Sequence, residues 1–311
     1  MKAFGYTHFG GPEVFEILGQ PQPTLQTDHD ILLKTLAVGL NNFERSQRAG
    51  DFGRGRLPIV PGRDVVGEVV EVGSAVTAFQ LGDVAIGHGG PAYAQYVVID
   101  SERAVKKPDN ASLAEAVALV TPGITAYNAV TTFTHVKTGD TVFVNGATGG
   151  VGSLVVQVAK QLGADVIGTG SSRNQALLEA LPLDEIGFYD RENLNAKFAD
   201  RADIAINAAL NGHNAELLRD VIRDGGSAAS VGDETDFGTK HVTFEHIRPL
   251  NAGHDHEALT ALATMLENGQ LKIPIFKTLP FTLAGGIEGH QLLETRHAPG
   301  RIVLVNDADG Q

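Results

Sequence analysis

The segment Asn145-Gly-Ala-Thr-Gly-Gly-Val-Gly152 constrains the fold of this 311-residue chain more than any other. The β-branched run Thr141–Asn145 before it predicts a strand, and residues 151–162 after it carry apolar side chains at helical spacing. A glycine-rich turn between a strand and a helix is the setting that a dinucleotide-binding turn requires. The alternative is a glycine-rich turn with no ligand, but the flanking strand and helix favour the nucleotide.

The residues of this turn predict separate roles. Gly146 permits the tight turn, and Gly149 and Gly150 let backbone N–H groups approach a pyrophosphate. Gly152 allows the helix to pack closely on the strand. The helix N-terminus adds a partial positive charge that favours phosphate. Thr148 lies within the same turn, and we include it among the predicted cofactor-binding residues.

The chain changes character near residue 112. Before that point it consists of short β-branched runs bounded by Gly, Pro and Asp turns, which predicts a β domain. After it, apolar strands alternate with helical stretches, which predicts a doubly wound parallel sheet and an α/β fold class. A last predicted strand, residues 301–305, raises the possibility that the chain returns to its first domain.

A helix is predicted for Glu257–Asn268, capped by Gly269. The His254 and His256 pair just before it is predicted to lie in a surface loop. A metal site is the less favoured alternative for this pair, because metal sites need further ligands at suitable spacing.

The end of the second strand in the α/β part indicates which nucleotide binds. An NAD site usually has Asp or Glu there to hold the ribose 2′-hydroxyl, but this strand continues into Gly170-Ser171-Ser172-Arg173 with no acid before Glu179. Two hydroxyls and a guanidinium suit a 2′-phosphate, which arginine can bind with two parallel hydrogen bonds. We therefore predict NADPH as the cofactor. The alternative is that Ser171 or Ser172 only caps the next helix.

Composition excludes several partners and chemistries. The formal net charge of −13 argues against nucleic acid and anionic membranes. No apolar run reaches the roughly 18 residues of a membrane span, and the start MKAFGYTHFGG lacks the apolar core of a signal peptide, so we expect a cytoplasmic protein. The chain has no cysteine, which excludes disulfides, cysteine-type zinc sites and thiol nucleophiles.

Several motifs resemble the medium-chain dehydrogenase/reductase superfamily, and more narrowly its zinc-free quinone oxidoreductase (zeta-crystallin-like) branch. In the order of that family they are Asn41-Asn-Phe-Glu44-x3-Arg48-x-Gly50, Pro58-Ile-Val-Pro-Gly62-Arg-Asp64-x2-Gly67-x-Val69, Ala92-Tyr-Ala-Gln-Tyr-Val97, Thr125-Ala-Tyr127 and the glycine turn. The resemblance covers nearly the whole chain. It implies a GroES-like β domain made of residues 1–118 and 256–311, and an inserted Rossmann NADP-binding domain, residues 119–255, with the active site in the cleft.

The resemblance also implies roles for single residues. Those expected to touch the cofactor are Asn41, Thr125, Gly149, Gly150 and Val151. The adenosine phosphate would be surrounded by Ser171, Ser172, Arg173 and Tyr189, and the nicotinamide side would be lined by Asn207, Val231 and Gly232. Arg301 stands where lysine is usual in the last strand, and we group it with the cofactor-binding residues. A homodimer is implied as well, paired through the Rossmann sheets with residues 241–247 as the candidate segment.

The residues limit the reaction that the chain can catalyse. Zinc-dependent relatives have Gly-His-Glu where this chain has Gly62-Arg63-Asp64, so no zinc is expected. No tyrosine has a lysine four positions later, so the Tyr-Lys pair of short-chain reductases is missing too. Reduction of a simple ketone creates an alkoxide that needs such a group. The substrate is therefore predicted to be a small molecule that delocalises the negative charge, namely a quinone or an α,β-unsaturated carbonyl compound.

Three residues are predicted to serve this reaction. Asn41 would orient nicotinamide or substrate, and Glu44 and Phe52 would shape the pocket, with the proton coming from solvent. The structural alternatives are that Asn41 caps a turn and that Glu44 is an exposed helix charge. Two other functions stay open, which are a non-catalytic NADPH-binding sensor or scaffold and, with fewer suitable ligands, a zinc alcohol dehydrogenase.

Overall fold

The structure, a computed structural model, describes residues 1–53, 55–209, 214–232, 235–295 and 298–306. The strands are β1 (Lys2–Gly5), β2 (Glu16–Gly19), β3 (Asp30–Leu40), β4 (Asp64–Val72), β5 (Val84–His88), β6 (Tyr96–Asp100), β7 (Ala104–Lys106), β8 (Thr141–Asn145), β9 (Asp165–Gly170), β10 (Glu185–Phe188), β11 (Ala202–Asn207), β12 (Ile222–Ser230), β13 (Thr243–His246), β14 (Ile275–Pro280) and β15 (Arg301–Val305).

The α-helices are α1 (Asn42–Ala49), α2 (Leu113–Ala118), α3 (Val120–Asn128), α4 (Gly152–Gln161), α5 (Gln175–Ala180), α6 (Leu194–Lys197), α7 (Ala215–Val221), α8 (Ala252–Glu267) and α9 (Leu283–Glu294). The chain divides into two compact units, of which unit 1 comprises Met1–Thr121 and Asn251–Gln311 and unit 2 comprises Pro122–Leu250. In the described part of the chain, no helix is both long enough and apolar enough to cross a membrane.

Unit 1 is organised by the long strand β3, in which nine of the eleven residues are buried. The main sheet has the order β14-β15-β3-β4-β5-β7, and β6 also pairs with β3. The pairs β3–β4, β3–β6 and β3–β15 are all antiparallel. Because β15 lies against β3, a strand from the C-terminal part of the chain belongs to the same sheet as strands from the first hundred residues. Helix α1 starts directly after β3, so its first turn lies at the end of a central, buried strand.

Unit 2 contains a parallel sheet with the strand order β10-β9-β8-β11-β12-β13. Numbered from β8 onward, this is the order 3-2-1-4-5-6 of the Rossmann fold. The predicted doubly wound sheet is therefore confirmed. The order reverses between β8 and β11, and such a switch point is where ligands bind outside the carboxyl ends of the strands.

The predicted helix after the glycine turn is confirmed, with one exception at its end. Leu154, Val155 and Val158 of α4 are buried as the pattern predicts. Leu162, the last apolar residue of the segment 151–162 that predicted this helix, is 37% exposed and does not share the buried face. It lies at the C-cap of α4, where the helix gives way to the surface turn that leads to β9.

The predicted surface loop at His254 and His256 is also wrong. Both histidines belong to α8, which begins at Ala252 with Asn251 as its N-cap. Residues two positions apart on a helix do not face each other, so the pair cannot converge on one ion. The cap itself accounts for the earlier start of the helix, because the Asn251 side chain accepts the His254 N–H.

Candidate active site

The glycine turn of unit 2 is packed so closely that two of its positions accept no side chain. Gly146 has a φ of +80°, and a Cβ added there would lie 3.0 Å from the Ala209 backbone. A Cβ at Gly152 would lie 2.2 Å from the Gly146 carbonyl oxygen. By contrast, a Cβ at Gly149 would meet only that same oxygen, at 3.4 Å. The fold itself therefore does not require glycine at position 149, and there is room beside the turn for a ligand.

The same turn offers unused hydrogen-bond donors. Gly149 N–H donates to Gly146 O at 3.0 Å, and Ser153 N–H donates to Gly149 O at 3.0 Å. The N–H groups of Gly150 and Val151 donate to no acceptor within the described residues. They precede α4, whose N-terminus carries the positive end of the helix dipole. N–H groups at a helix N-terminus that have no acceptor among the described residues are the kind of donor that binds a phosphate group.

Polar side chains connect the carboxyl ends of three neighbouring strands at the switch point. Thr169 Oγ1 donates to Asn145 Oδ1 at 3.1 Å, and Asn145 Nδ2 donates to Asn207 Oδ1 at 3.0 Å. Val231 N–H, just past β12, donates to Asn207 O at 3.1 Å, and Gly232 N–H donates to Ser230 Oγ at 3.0 Å. The predicted residues Asn207, Val231 and Gly232 therefore lie together at this edge.

An acid that the sequence analysis missed lies beside the carboxyl end of β9, the second strand of the Rossmann order. Asp190, two residues past β10, accepts a hydrogen bond from Ser171 Oγ at 3.1 Å and from Ser172 Oγ and N at 2.8 Å. The donors on Ser172 hold the pKa of Asp190 below its usual range. A signal for this residue existed, because the carboxyl ends of adjacent parallel strands share one edge of a sheet. Asp190 lies beyond the segment that directly follows β9, in which the first acid is Glu179.

The other residues predicted for the nucleotide lie nearby in unit 2. Arg173 is exposed and makes no ion pair within the described residues. Tyr189 is half exposed at the end of β10. Thr148 is buried and accepts from Asn174 Nδ2 at 3.4 Å. Thr125 lies half-buried on α3. Their contacts with a cofactor stay predictions.

Unit 1 contains a buried network of charged and polar groups around Asp64. Asp64 Oδ2 accepts from Asn41 Nδ2 at 3.0 Å, and its Oδ1 accepts from Thr121 N at 3.2 Å. Arg301 donates to Asn41 Oδ1 at 2.9 Å and lies 3.4 Å from Asp64 Oδ2. Gly39 makes room for this pair, since a Cβ there would lie 2.7 Å from the Asp64 carboxylate. The structure thus brings together Asn41 and Arg301, which are 260 positions apart in the chain.

The Asn41 side chain is occupied by this network and does not cap a turn. Asn41 is the N-cap residue of α1, but its side chain makes no capping hydrogen bond. The capping alternative is therefore wrong. Arg301 is similarly buried, and its guanidinium neutralises Asp64 inside unit 1. Its predicted contact with a cofactor stays untested.

Glu44, on the first turn of α1, is buried like Asp64 but, among the described residues, lacks the hydrogen-bond donors that surround the Asp64 carboxylate. Its side chain is 1% exposed, so the alternative of an exposed helix charge is wrong. Neither carboxyl oxygen has a hydrogen-bond partner in the described part of the chain, and Arg63 Nε lies 3.4 Å from Oε1. Burial and the negative charge of Asp64, partly offset by the positive charge of Arg63, together raise the pKa of Glu44 to about 7. A carboxyl group with such a pKa can both hold and release a proton near neutral pH.

Glu44 lines a pocket of about 450 Å³ within unit 1. The lining residues are Phe43, Glu44, Gln47, Pro58, Ile59, Val60, Pro61, Gly62, Arg63, Gly90 and Pro91. The walls thus combine apolar and proline-rich surface with one carboxyl, one amide and one guanidinium. This composition is typical of small-molecule sites, where few polar groups orient a largely apolar ligand.

An aromatic stack forms one side of this pocket. The Arg63 guanidinium lies 3.6 Å from the Phe43 ring centroid, and the Phe43 and Phe52 rings stack at 5.1 Å. Phe52 is 63% exposed and does not line the pocket, although its ring stacks on that of Phe43, which does. Its predicted role in shaping the pocket stays a prediction, and Phe43, which the sequence analysis did not single out, provides the direct wall.

The donor set of the described residues does not suit zinc. No group of three or more His, Asp or Glu side chains comes together there in a way that could hold a metal. Asp64 is already paired with Arg301, Asn41 and Thr121. The Arg301 and Arg63 guanidinium groups also place positive charge next to the two buried carboxyls, which opposes a divalent cation.

Comparison with known protein families matches both parts of the chain. Residues 27–109 match the family described as alcohol dehydrogenase GroES-like domain, and residues 181–304 match the family described as zinc-binding dehydrogenase. The first match lies in unit 1, so the predicted GroES-like domain is confirmed.

Three similar proteins illustrate the relationship. The 2-methylene-furan-3-one reductase of Solanum lycopersicum is 32% identical over 98% of this chain and 79% of its own length. The chloroplastic NADPH-dependent alkenal/one oxidoreductase of Arabidopsis thaliana is 29% identical over the same shares. The solved quinone oxidoreductase of Coxiella burnetii superposes with a TM-score of 0.86 at 30% identity, covering 98% of this chain and 99% of its own.

Proposed function

This chain belongs to the zeta-crystallin-like quinone oxidoreductase branch of the medium-chain dehydrogenase/reductase superfamily, and from that membership we propose that it is an NADPH-dependent reductase. Its substrate would be a quinone or an α,β-unsaturated carbonyl compound, and the reaction would need no zinc. The chain is an oxidoreductase by its relatives, whereas the cofactor, the substrate and the zinc independence are the proposed parts.

The observation that carries this proposal is the glycine turn with free donors at the switch point of a Rossmann sheet. The N–H groups of Gly150 and Val151 would hold the diphosphate, and Gly149 leaves the space for it. Ser171, Ser172 and Arg173 would surround the adenosine end of the nucleotide. When bound, NADPH would supply the hydride.

The side chains of unit 1 support a substrate that brings its own electron sink. The buried carboxylate of Asp64 is neutralised by Arg301, and the donor set does not suit a Lewis-acid metal. A conjugated carbonyl or a quinone spreads the charge of its reduced anion and therefore needs little stabilisation from the protein. Two of the similar proteins are named for conjugated carbonyl compounds. The pocket would contribute mainly by positioning, which can be worth roughly 7–11 kcal/mol.

Reduction of either substrate adds one hydride and one proton, and Glu44 is the group in the pocket that can supply the proton. Glu44 is one of the residues that line the pocket, and its two buried carboxyl oxygens have no hydrogen-bond partner among the described residues. The pKa of about 7 leaves a large fraction of the acid form at neutral pH. The proton would pass from the Glu44 carboxyl to the substrate anion and be replaced from solvent.

The test is the oxidation of NADPH, followed by absorbance, with a panel of quinones, enals, enones and saturated ketones. The protein is first treated with a chelator, and its metal content is measured. We expect quinones or conjugated carbonyls to be reduced at the same rate before and after chelation, and saturated ketones to be inert. Activity that disappears with the chelator and returns with zinc would contradict the metal-free reaction. An absence of turnover with every acceptor would contradict the reductase.

A further inference from the structure

Asp190 occupies the donors that a 2′-phosphate would use. Its Oδ2 accepts from Ser171 Oγ at 3.1 Å and from Ser172 Oγ at 2.8 Å, and its Oδ1 accepts from Ser172 N at 2.8 Å. These are the first residues after β9, the second strand in the Rossmann order. In such folds the end of that strand meets the 2′ position of the adenosine ribose. In this chain the acid reaches that place from the end of the neighbouring strand β10.

A phosphate and this carboxylate compete for the same hydrogens. A serine hydroxyl has one hydrogen to donate, and both Ser171 and Ser172 already direct theirs to Asp190. The phosphate and the carboxylate are also both negatively charged, so they repel each other when they compete for the same donors. A ribose 2′-hydroxyl has no such conflict, because it can itself donate a hydrogen bond to a carboxylate. The site therefore accepts an unphosphorylated ribose as it stands, whereas a 2′-phosphate requires the Asp190 side chain to turn away.

The surroundings allow that movement. Asp190 is exposed, so its side chain has solvent to turn into. Arg173 is exposed, without an ion pair in the described chain, and is therefore available to a phosphate. We propose that Asp190 is the residue that sets the choice between NADH and NADPH, by competing with the 2′-phosphate for the hydroxyls of Ser171 and Ser172. This inference rests on the proposed function in one respect, which is that a nicotinamide nucleotide binds at the glycine turn.

The experiment compares nucleotide binding by the full-length protein and two variants. Asp190→Ala frees the serine hydroxyls, and Asp190→Asn removes the charge but keeps an acceptor. Dissociation constants are measured by calorimetry for NADPH, NADH, 2′,5′-ADP and 5′-AMP. We expect Asp190→Ala to lower the dissociation constants of 2′,5′-ADP and NADPH by about tenfold or more, which is the size of one charge-assisted interaction. The dissociation constants of 5′-AMP and NADH should change by less than about threefold.

Glu192→Gln is the matched control, because it removes the same charge two residues away. Glu192 pairs with Lys197 and does not touch either serine. Equal tightening by Glu192→Gln and Asp190→Asn would overturn the inference, since a general charge effect would then explain both. Unchanged affinity for 2′,5′-ADP in both Asp190 variants would overturn it as well. Failure of the proposed function has a different signature, because no variant would then bind either reduced nucleotide, and both ideas would be wrong.

Discussion

At the scale of single residues, the two buried carboxyls of unit 1 differ in how their charge is stabilised. Asp64 accepts hydrogen bonds from Asn41 and Thr121 and is paired with Arg301. Among the described residues, neither oxygen of Glu44 has a hydrogen-bond partner, although the guanidinium groups of Arg63 and Arg301 lower its pKa through their charge. A buried carboxylate without donors bears the full cost of leaving water. Burial without such donors therefore favours the protonated form of Glu44.

The first prediction concerns catalysis by Glu44. With a pKa of about 7, the acid form is present below that pH and is lost above it, so kcat should fall as the pH rises through 7. Glu44→Gln should lower kcat by roughly 10²-fold, the usual contribution of a general acid, and remove this pH dependence. Gln47→Ala, another change in the pocket wall, is the control and should keep the pH profile. A Glu44→Gln enzyme with an unaltered kcat and pH profile would show that solvent supplies the proton.

The second prediction concerns stability at the same residue. The native pKa of Glu44 lies above its usual value of 4.5, so between those values the native state holds a proton that the unfolded state has lost. Stability should therefore fall with rising pH across this range, and the cost is fully present above pH 7. The shift corresponds to roughly 3 kcal/mol. Glu44→Gln should be more stable than the parent by up to that amount at pH 8.

Urea unfolding at pH 4.5 and pH 8 measures this difference. At the lower pH both proteins carry a largely neutral side chain at position 44 in the native state, and their stabilities should converge. Glu179→Gln, which removes an exposed carboxyl of unit 2, is the control and should change little at either pH. A Glu44→Gln protein that is less stable than the parent at pH 8 would contradict the burial argument.

Sequence reasoning could identify single residues of the site but not their partners. Asn41, Glu44 and Arg301 were found through motifs, since each lies in a recognisable segment. Their mutual arrangement depends on β15 returning to β3, which no local pattern contains. The burial of Glu44 was equally hidden, because α1 has the sequence Asn-Phe-Glu-Arg-Ser-Gln-Arg-Ala and looks like a solvated helix. Long-range packing decides both points.

At the scale of elements, the glycine turn was the part most open to prediction. Its strand and its helix have strong local patterns, and Gly146 and Gly152 stand where the turn geometry requires glycine. The boundaries of helices and strands were less predictable where they are fixed by hydrogen bonds of side chains that do not belong to the apolar pattern. Asn251 starts α8 several residues before the apolar pattern begins, and β10 brings Asp190 to the end of β9. Both effects come from side-chain hydrogen bonds, which periodicity does not contain.

The third prediction separates the two roles of glycine in this turn. Gly149→Ala should leave the stability of the protein nearly unchanged, because the new Cβ meets its neighbour at an ordinary 3.4 Å. It should nevertheless weaken nucleotide binding tenfold or more, about 1.4 kcal/mol, since the methyl group enters the space for the diphosphate. Gly152→Ala is the comparison, because its Cβ would lie 2.2 Å from the Gly146 carbonyl oxygen.

Thermal unfolding and calorimetric titration with NADPH distinguish these roles. Gly152→Ala should lose roughly 1–3 kcal/mol of stability, as overpacking usually costs, and bind nucleotide poorly because the turn must shift. If Gly149→Ala bound NADPH as tightly as the parent protein, the diphosphate would not lie against this glycine, and the assignment of the turn would be wrong.

At the scale of the whole molecule, no strand of the described residues pairs with the outer edge of β13 in the parallel sheet of unit 2. β13 is the last strand in the order, paired on one side with β12. An unpaired strand edge is a template for pairing with another chain. We propose that β13 of one copy pairs with β13 of a second, as the family resemblance implies, so that the active protein is a homodimer. The resemblance implied this segment, and the position of β13 at the end of the described strand order supports the proposal.

The last prediction uses the alternation of backbone groups along β13. The Ile247 N–H donates to Ser230 O on β12 at 2.8 Å. Successive residues of a strand direct their backbone groups to opposite sides, so the N–H of His246 points to the outer edge. His246→Pro removes that donor without touching the β12 ladder. Light scattering should give twice the 32.8 kDa chain mass for the parent and for His246→Ala, and a single chain mass for His246→Pro. A proline variant that keeps the double mass with an unchanged circular dichroism spectrum would show that the copies do not pair through this edge.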